Sequence, residues 1–279
     1  MIKWINKLKR NHIILLIIII IVVLLIFNYV NKNDTSSTEQ EILPKIELTS
    51  NDEQSIYSAL KTLSSYSEDF ETIYNNRDLI PQNLLYSTIK NPEMTHFTLD
   101  YPTADRHTVG RITDEELEEK YPLLLQWDHR WGYLNYGNEL HALEACGPTT
   151  LSMAIVSITR DKSVTPYEIA QYSSENGYYV ETEGSAWALI PACSKEYGLK
   201  CEEVSLHEPD IKSALDDGNV LILIMGPGKF TSTGHFIMIY GYNETGYFVN
   251  DCNNISNSEK IWTFSEIKNE IRNIWAIKK

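Results

Sequence analysis

Glu144-Ala145-Cys146-Gly147-Pro148-Thr149-Thr150 places a cysteine where a polar stretch gives way to an apolar run carrying Leu151, Met153, Ala154, Ile155 and Ile158. Pro148 suits a first helical turn. The apolar face behind it is too thick for a surface helix, so the pattern predicts a central, mostly buried helix that opens at the cysteine. At such a position the free backbone N–H groups and the positive end of the helix dipole both favour thiolate over thiol. Taken alone, Cys146 reads first as a small core residue, because free cysteine is among the most buried residue types. Its partners decide between the two readings.

Downstream, Thr165-Pro166-Tyr167-Glu168 combines a capping box with proline at the first helical position, and Gly177 closes that helix. A further helix is expected over 186–197 with Gly198 as its cap and Pro191 marking a late start or a kink. From Lys200 the period changes, and 220–225, 236–240 and 247–249 read as strands. Asn243-Glu244-Thr245-Gly246 makes the last two an antiparallel hairpin. Helices first and an antiparallel sheet afterwards is an α+β order, with the Cys146 helix packed on the sheet.

His235 follows Gly234 at the start of a strand, after a mobile-looking loop that begins Gly226-Pro227-Gly228. By itself it reads as a structural or surface histidine. The hairpin, however, returns to Asn250-Asp251 nearly opposite His235, with an offset that a bulge would absorb. An aspartate there accepts the imidazole N–H and fixes the tautomer that takes a proton from a thiol. Gln126, a surface residue on its own, offers an uncharged N–H beside the thiolate, which with the Cys146 backbone N–H would hold a developing oxyanion. Nucleophile, base, orienter and oxyanion donor are thus all present. His129 and His141 lie nearer Cys146 in sequence and compete as the base, but neither has an acid placed by a strand.

Four motifs carry a family resemblance: Leu125-Gln126-Trp127-Asp128-His129-Arg130-Trp131-Gly132, Ala145-Cys146-Gly147-Pro148-Thr149, Gly234-His235-Phe236 and Val249-Asn250-Asp251. In this order they resemble the papain-like cysteine peptidases of the bacteriocin-leader-processing type, peptidase family thirty-nine. The resemblance implies a papain-like fold for 121–279, with Cys146 as nucleophile, His235 as base, Asp251 as orienter and Gln126 as oxyanion donor. It implies a peptide or protein substrate and no cofactor or metal. Two positions depart from the family pattern: Ala145 stands where glycine is usual, and Cys252 where proline is usual. The second places a thiol beside Asp251, within possible reach of Cys146 for an inhibitory disulfide.

The chain has 24 Lys and Arg against 38 Asp and Glu, a net charge of -14, which argues against nucleic acid as a partner. No G-x4-G-K-[ST] motif occurs, so no nucleotide is expected. Residues 13–27 are all Ile, Leu, Val or Phe behind a basic head with Lys3, Lys7, Lys9 and Arg10, and no small-x-small cleavage site follows. Over 1–30 this reads as a transmembrane signal anchor rather than a cleaved signal peptide, with the N-terminus cytoplasmic and the remainder outside the cell membrane of a bacterium. Residues 31–49 form a polar tether.

Over 50–120 a helical extension is expected, from Ile56, Leu60 and Leu63, from Phe70, Ile73 and Tyr74, and from Leu84, Leu85 and Ile89 behind Pro81. Pro92 and Pro102 are expected to bound an irregular stretch, and Thr113-Asp114-Glu115-Glu116 to cap one short acidic helix. Cys146, Cys193, Cys201 and Cys252 match no zinc spacing, while Cys193 and Cys201 are near enough in sequence to bridge. Besides a peptidase, the same residues suit a cell-wall amide hydrolase or crosslinking enzyme. A catalytically idle module gripping a partner with Trp131, Tyr133 and Tyr136 is the third reading.

Overall fold

The computed structural model describes residues 43–48 and 50–279. The anchor over 1–30 and most of the tether lie outside the described residues. Among the described residues no helix is long and apolar enough to cross a membrane. Residues 46–279 form one compact unit.

The extension opens with α1 (Glu53–Leu63), where Asp52 accepts the Ser55 N–H, and continues through α2 (Glu68–Asn75) and α3 (Gln82–Lys90). Ile56, Leu60, Leu63, Phe70, Ile73, Leu84, Leu85 and Ile89 are all buried, as their spacing requires. The stretch between Pro92 and Pro102 is not irregular. It forms a 3-10 turn at Pro92–Met94, helix α4 (Thr95–Asp100) and another 3-10 turn at Tyr101–Thr103. Each proline occupies a first-turn position, where its missing N–H is one that a helix leaves unpaired anyway. Thr113 and Glu116 do form the reciprocal capping bonds, but only the 3-10 turn Glu116–Glu118 follows. Arg130 clasps the Glu116 carboxylate through both terminal nitrogens and fastens this turn to the next domain.

A small ribbon of β1 (Asn135–Tyr136) and β2 (Glu139–Leu140) leads through α5 (His141–Glu144) into α6 (Cys146–Thr159). Every α6 residue from Gly147 to Ser157 is buried, so the helix is central, as its apolar face predicts. Next come α7 (Pro166–Glu175), the ribbon of β3 (Tyr179–Val180) and β4 (Gly184–Ser185), and α8 (Leu189–Glu196). Pro191 falls in the first turn of α8, the late start that it signals. Gly177 and Gly198 follow α7 and α8 at φ +75° and +69°, backbone that suits glycine.

The remaining elements are β5 (Lys200–Glu203), α9 (Glu208–Asp216), β6 (Val220–Met225), β7 (His235–Tyr242), β8 (Tyr247–Asn250), α10 (Ile255–Glu259), β9 (Ile261–Trp262), α11 (Phe264–Ile267) and β10 (Ile271–Lys278). The strands make an antiparallel sheet in the order β5-β10-β6-β7-β8-β9. Both of its faces are covered. Ile222, Ile224, Phe236 and Met238 pack into the core that contains the α6 residues Leu151, Met153 and Ile155, while Leu221, Leu223, Ile237 and Ile239 pack with Ile211 of α9 on the other side. That is why β6 is apolar at every position instead of alternating.

Candidate active site

α6 begins at Cys146, and Thr150 one turn later donates its hydroxyl to the Phe236 carbonyl at 3.0 Å, locking the helix start to the residue after His235. Gly147 has to be small. A Cβ there would meet Ser185 Oγ at 2.8 Å, where Tyr136 holds that hydroxyl. Ala145, in place of the usual glycine, causes no strain, since its φ is -91°.

The expected bulge is present. β7 and β8 shift register between Ile239 and Gly241, after which Met238 pairs with Asn250. Asp251 thus becomes a diagonal neighbour of His235, a separation that a long side chain spans. His235 Nε2 and Asp251 Oδ1 are 2.7 Å apart, and both residues are buried. The other face of the imidazole hydrogen-bonds the Cys146 side chain.

Burial opposes charge on Cys146, but the His235 hydrogen bond and charge, with the backbone N–H groups of Phe236 and Gly147, bring its pKa below the ordinary thiol value. Burial likewise opposes the imidazolium, yet Asp251 first and Cys146 next hold the His235 pKa well above the usual value. Asp251 is lowered against its own burial by His235, Asn257 and the Asn253 N–H. All three directions favour a thiolate–imidazolium pair backed by a carboxylate.

The neighbouring thiol behaves oppositely. Burial, then the charges of Cys146 and Asp251, push Cys252 well above the ordinary value. Its Sγ faces Gln126 Oε1 at 3.5 Å and the Cys146 carbonyl at 3.6 Å. His235, Asp251 and Cys252 offer donor atoms within 4.8 Å of one another, but a thiol held protonated is not a metal ligand, and His235 Nε2 already engages Asp251. All four cysteines are free thiols, so Cys193 and Cys201 are not bridged and neither are Cys146 and Cys252.

Gln126 is buried, with Nε2 donating to the Ala142 carbonyl at 2.7 Å and its backbone N–H donating to the Cys252 carbonyl at 2.7 Å. The structure separates the competing histidines from the thiol. His141 is fully buried with Nδ1 on the Gln126 carbonyl at 3.0 Å, and burial pushes its pKa down to about 4. His129 is exposed and lies 3.6 Å from Asp100. The idle-module aromatics are also spoken for, since Trp131, Tyr133 and Tyr136 are buried and donate or share hydrogen bonds internally.

A cleft of about 630 Å³ runs beside Gln126. Tyr86, Lys90 and Met94 of the extension form one wall, and residues of the 227–232 and 253–257 loops form the other. The 226–234 loop is fastened rather than loose: Gly226 N–H donates to Glu270 O, Gly228 N–H to Thr231 O and Lys229 N–H to the Glu270 carboxylate. Sequence reasoning gave no hint of Glu93, Asn257 and Ser258, which contact the Asp251 segment from outside the motifs.

A mixed helix-and-sheet fold with an activated thiol at the start of its central helix, against a histidine and a carboxylate at one end of an antiparallel sheet, defines a cysteine peptidase consistent with papain-like architecture. More narrowly, the model of the Peptidase_C39 like family matches residues 118–279, and the chain belongs to that family. No curated protein matches the chain. Among solved structures it is similar to the peptidase domain of Streptococcus ComA, described as a bi-functional ABC transporter involved in a quorum sensing pathway. That match has a TM-score of 0.40 and 17% identity, covering 56% of this chain and 96% of the other.

Proposed function

We propose that this peptidase is anchored in the cell membrane by residues 1–30, with residues 46–279 outside, and that it cleaves peptide bonds through Cys146, His235, Asp251 and Gln126. The observation that carries the reading is the single imidazole engaged on both sides, by the Asp251 carboxylate at 2.7 Å and by the thiol of Cys146. The thiolate attacks the scissile carbonyl carbon, and the oxyanion is held by the Gln126 amide and the Cys146 backbone N–H. As the tetrahedral adduct collapses, the C–N bond breaks and His235 gives its proton to the leaving amine. His235 then takes a proton from water, hydroxide adds to the thioester, and the acid product leaves with the thiol restored. Substrate lies along the cleft beside Gln126.

Iodoacetamide labelling of native protein tests the site directly. Cys146 should react first and at a pH below that of a free thiol, since burial raises Cys193 to about 12 and Cys201 to about 11. Peptide hydrolysis should disappear in Cys146→Ala. A Cys146 no more reactive than the same thiol in unfolded chain defeats the reading. Resistance of the full chain to carbonate extraction from membranes, together with cleavage of its C-terminal part by external protease on intact cells, tests the anchor and its orientation.

A further inference from the structure

We propose that Glu93, on the helical extension, is a positioning residue for the active site: through α10 it fixes Asn257 and Ser258, which in turn hold Asp251. This rests on the peptidase reading and adds to it a function for the extension.

The path is continuous. The Glu93 carboxylate accepts the Ile255 N–H at 2.6 Å, the Ser256 N–H at 2.9 Å and the Ser256 hydroxyl at 2.6 Å, all in the first turn of α10. From the same short helix, Asn257 Nδ2 donates to Asp251 Oδ2 at 2.8 Å, and the Ser258 hydroxyl accepts the Asp251 N–H at 2.9 Å. The other Asp251 oxygen receives His235 Nε2 and the Asn253 N–H. Asp251 is therefore gripped on one side by the imidazole and on the other by α10.

A five-residue helix does not hold itself, because so few turns cannot repay nucleation. Its orientation comes from outside. Asn254 caps it, Trp262 Nε1 donates to its Asn257 carbonyl, and Glu93 closes the exposed N–H groups of its first turn. Asn91, two residues before Glu93, donates to the Asn253 carbonyl at 2.6 Å and strengthens the same junction. Without the Glu93 carboxylate, the first turn of α10 turns to water, Asn257 drifts, and Asp251 loses the donor that sets the plane of its carboxylate. The imidazolium is then less stabilised, and the thiolate forms at higher pH. The titratable groups facing this path are Asp251 and Cys252 after β8, His235 on β7, Cys146 on α6 and Tyr136 on β1.

The test uses the full chain and two readouts: the pH midpoint of Cys146 alkylation by iodoacetamide, which needs no substrate, and kcat and KM on a cleaved peptide. Glu93→Ala should raise the alkylation midpoint by about 0.5 to 1 pH unit and lower kcat roughly 10-fold with KM changed less than about 2-fold. Glu93→Asp should recover part of both. Asn257→Ala should give similar shifts, and adding Glu93→Ala to it should cost less than about 2-fold more, because both act through Asp251. If Glu93→Ala does not fold, Glu93→Asp and Glu93→Gln provide the same comparison. A wild-type midpoint and kcat in the Glu93 variants overturn the proposal, and so do Glu93 and Asn257 losses that multiply. If wild-type Cys146 itself titrates as an ordinary thiol, the peptidase reading falls; a low wild-type midpoint that Glu93 variants leave in place removes only the positioning role.

Discussion

His141 and His235 are both buried, at 0% and 5% exposure, yet their surroundings drive them in opposite directions. Around His141 there is a backbone carbonyl, from Gln126, and no carboxylate in hydrogen-bond contact, so desolvation dominates and the ring stays neutral. Around His235 the Asp251 carboxylate and the Cys146 thiol outweigh the same desolvation. Burial alone therefore makes a structural histidine. Burial beside a fixed carboxylate makes one that can hold a proton against a thiolate. The two regions meet at Gln126, whose carbonyl receives His141 and whose side-chain oxygen faces Cys252 beside Asp251.

Removing the charge that separates the two histidines should have the largest effect. Asp251→Asn leaves His235 buried without its carboxylate, as His141 is, and kcat/KM should fall about 10²- to 10⁴-fold. The alkylation midpoint of Cys146 should rise together with it. A fall in activity without that rise would assign Asp251 a role other than stabilising the imidazolium. Gln126→Ala attacks the junction. Its kcat should fall about 10²-fold, while the Cys146 alkylation profile stays close to wild type, because no charge near the thiol has changed. Steady-state kinetics and thiol titration on one preparation separate the two effects.

The same comparison marks what was legible in the sequence. Strands with one uninterrupted apolar pattern were readable: β6 has the expected limits, and β7 and β8 extend theirs by one to three residues. β10, the strand between β5 and β6, was not, because Arg272 and Asn273 break its alternation at the point where the ladder to β6 shifts register. The turns at Pro92 and Pro102 were missed because proline was taken as a breaker when it was opening each turn. At the site, His235 and Asp251 could be paired on paper, since a hairpin with one bulge relates them. Glu93 could not. Its partner Ile255 is 162 residues away, and no local pattern ties a surface glutamate to a backbone N–H at that distance. Nor did spacing show that His141 is fully buried, which only tertiary packing decides.

The neutral histidine predicts an acid limb in stability. His141 binds its proton near pH 4 when folded and near 6.5 when unfolded. Below 6.5 the unfolded chain therefore holds more protons, and stability is lost as pH falls towards 4. From pH 7 to 5 this amounts to about 2 kcal/mol. His235 acts in the other window: its raised pKa contributes stability that is full below 6.5 and is lost as pH rises through the folded value. His141→Gln, which cannot take up the proton, should be destabilised by roughly 1 to 2 kcal/mol at pH 7 from lost packing and the lost Gln126 bond. Between pH 7 and 5 it should then lose about 2 kcal/mol less than wild type in urea melts. An equal slope in both proteins would mean that His141 is protonated in the folded state.

Cys252 provides the finest test, because it sits between the two regions without joining the chemistry of either. Its thiol is buried and held protonated, and it touches Thr150, Gln126 and the Cys146 carbonyl only weakly, at 3.5 to 3.6 Å. Cys252→Ala removes one sulfur from a packed site and should cost about 1 kcal/mol of stability. It should lower kcat less than about 3-fold, because neither the His235–Asp251 bond nor the Gln126 contact with Ala142 passes through that sulfur. The Cys146 alkylation midpoint should fall slightly or stay in place, since the substitution removes a second ionisable thiol from beside the thiolate. A large rise in the midpoint would instead make Cys252 a hydrogen-bond support of the site. Intact mass of air-oxidised wild type after alkylation should show Cys146 free, because the Cys252 sulfur is turned towards the Cys146 backbone carbonyl.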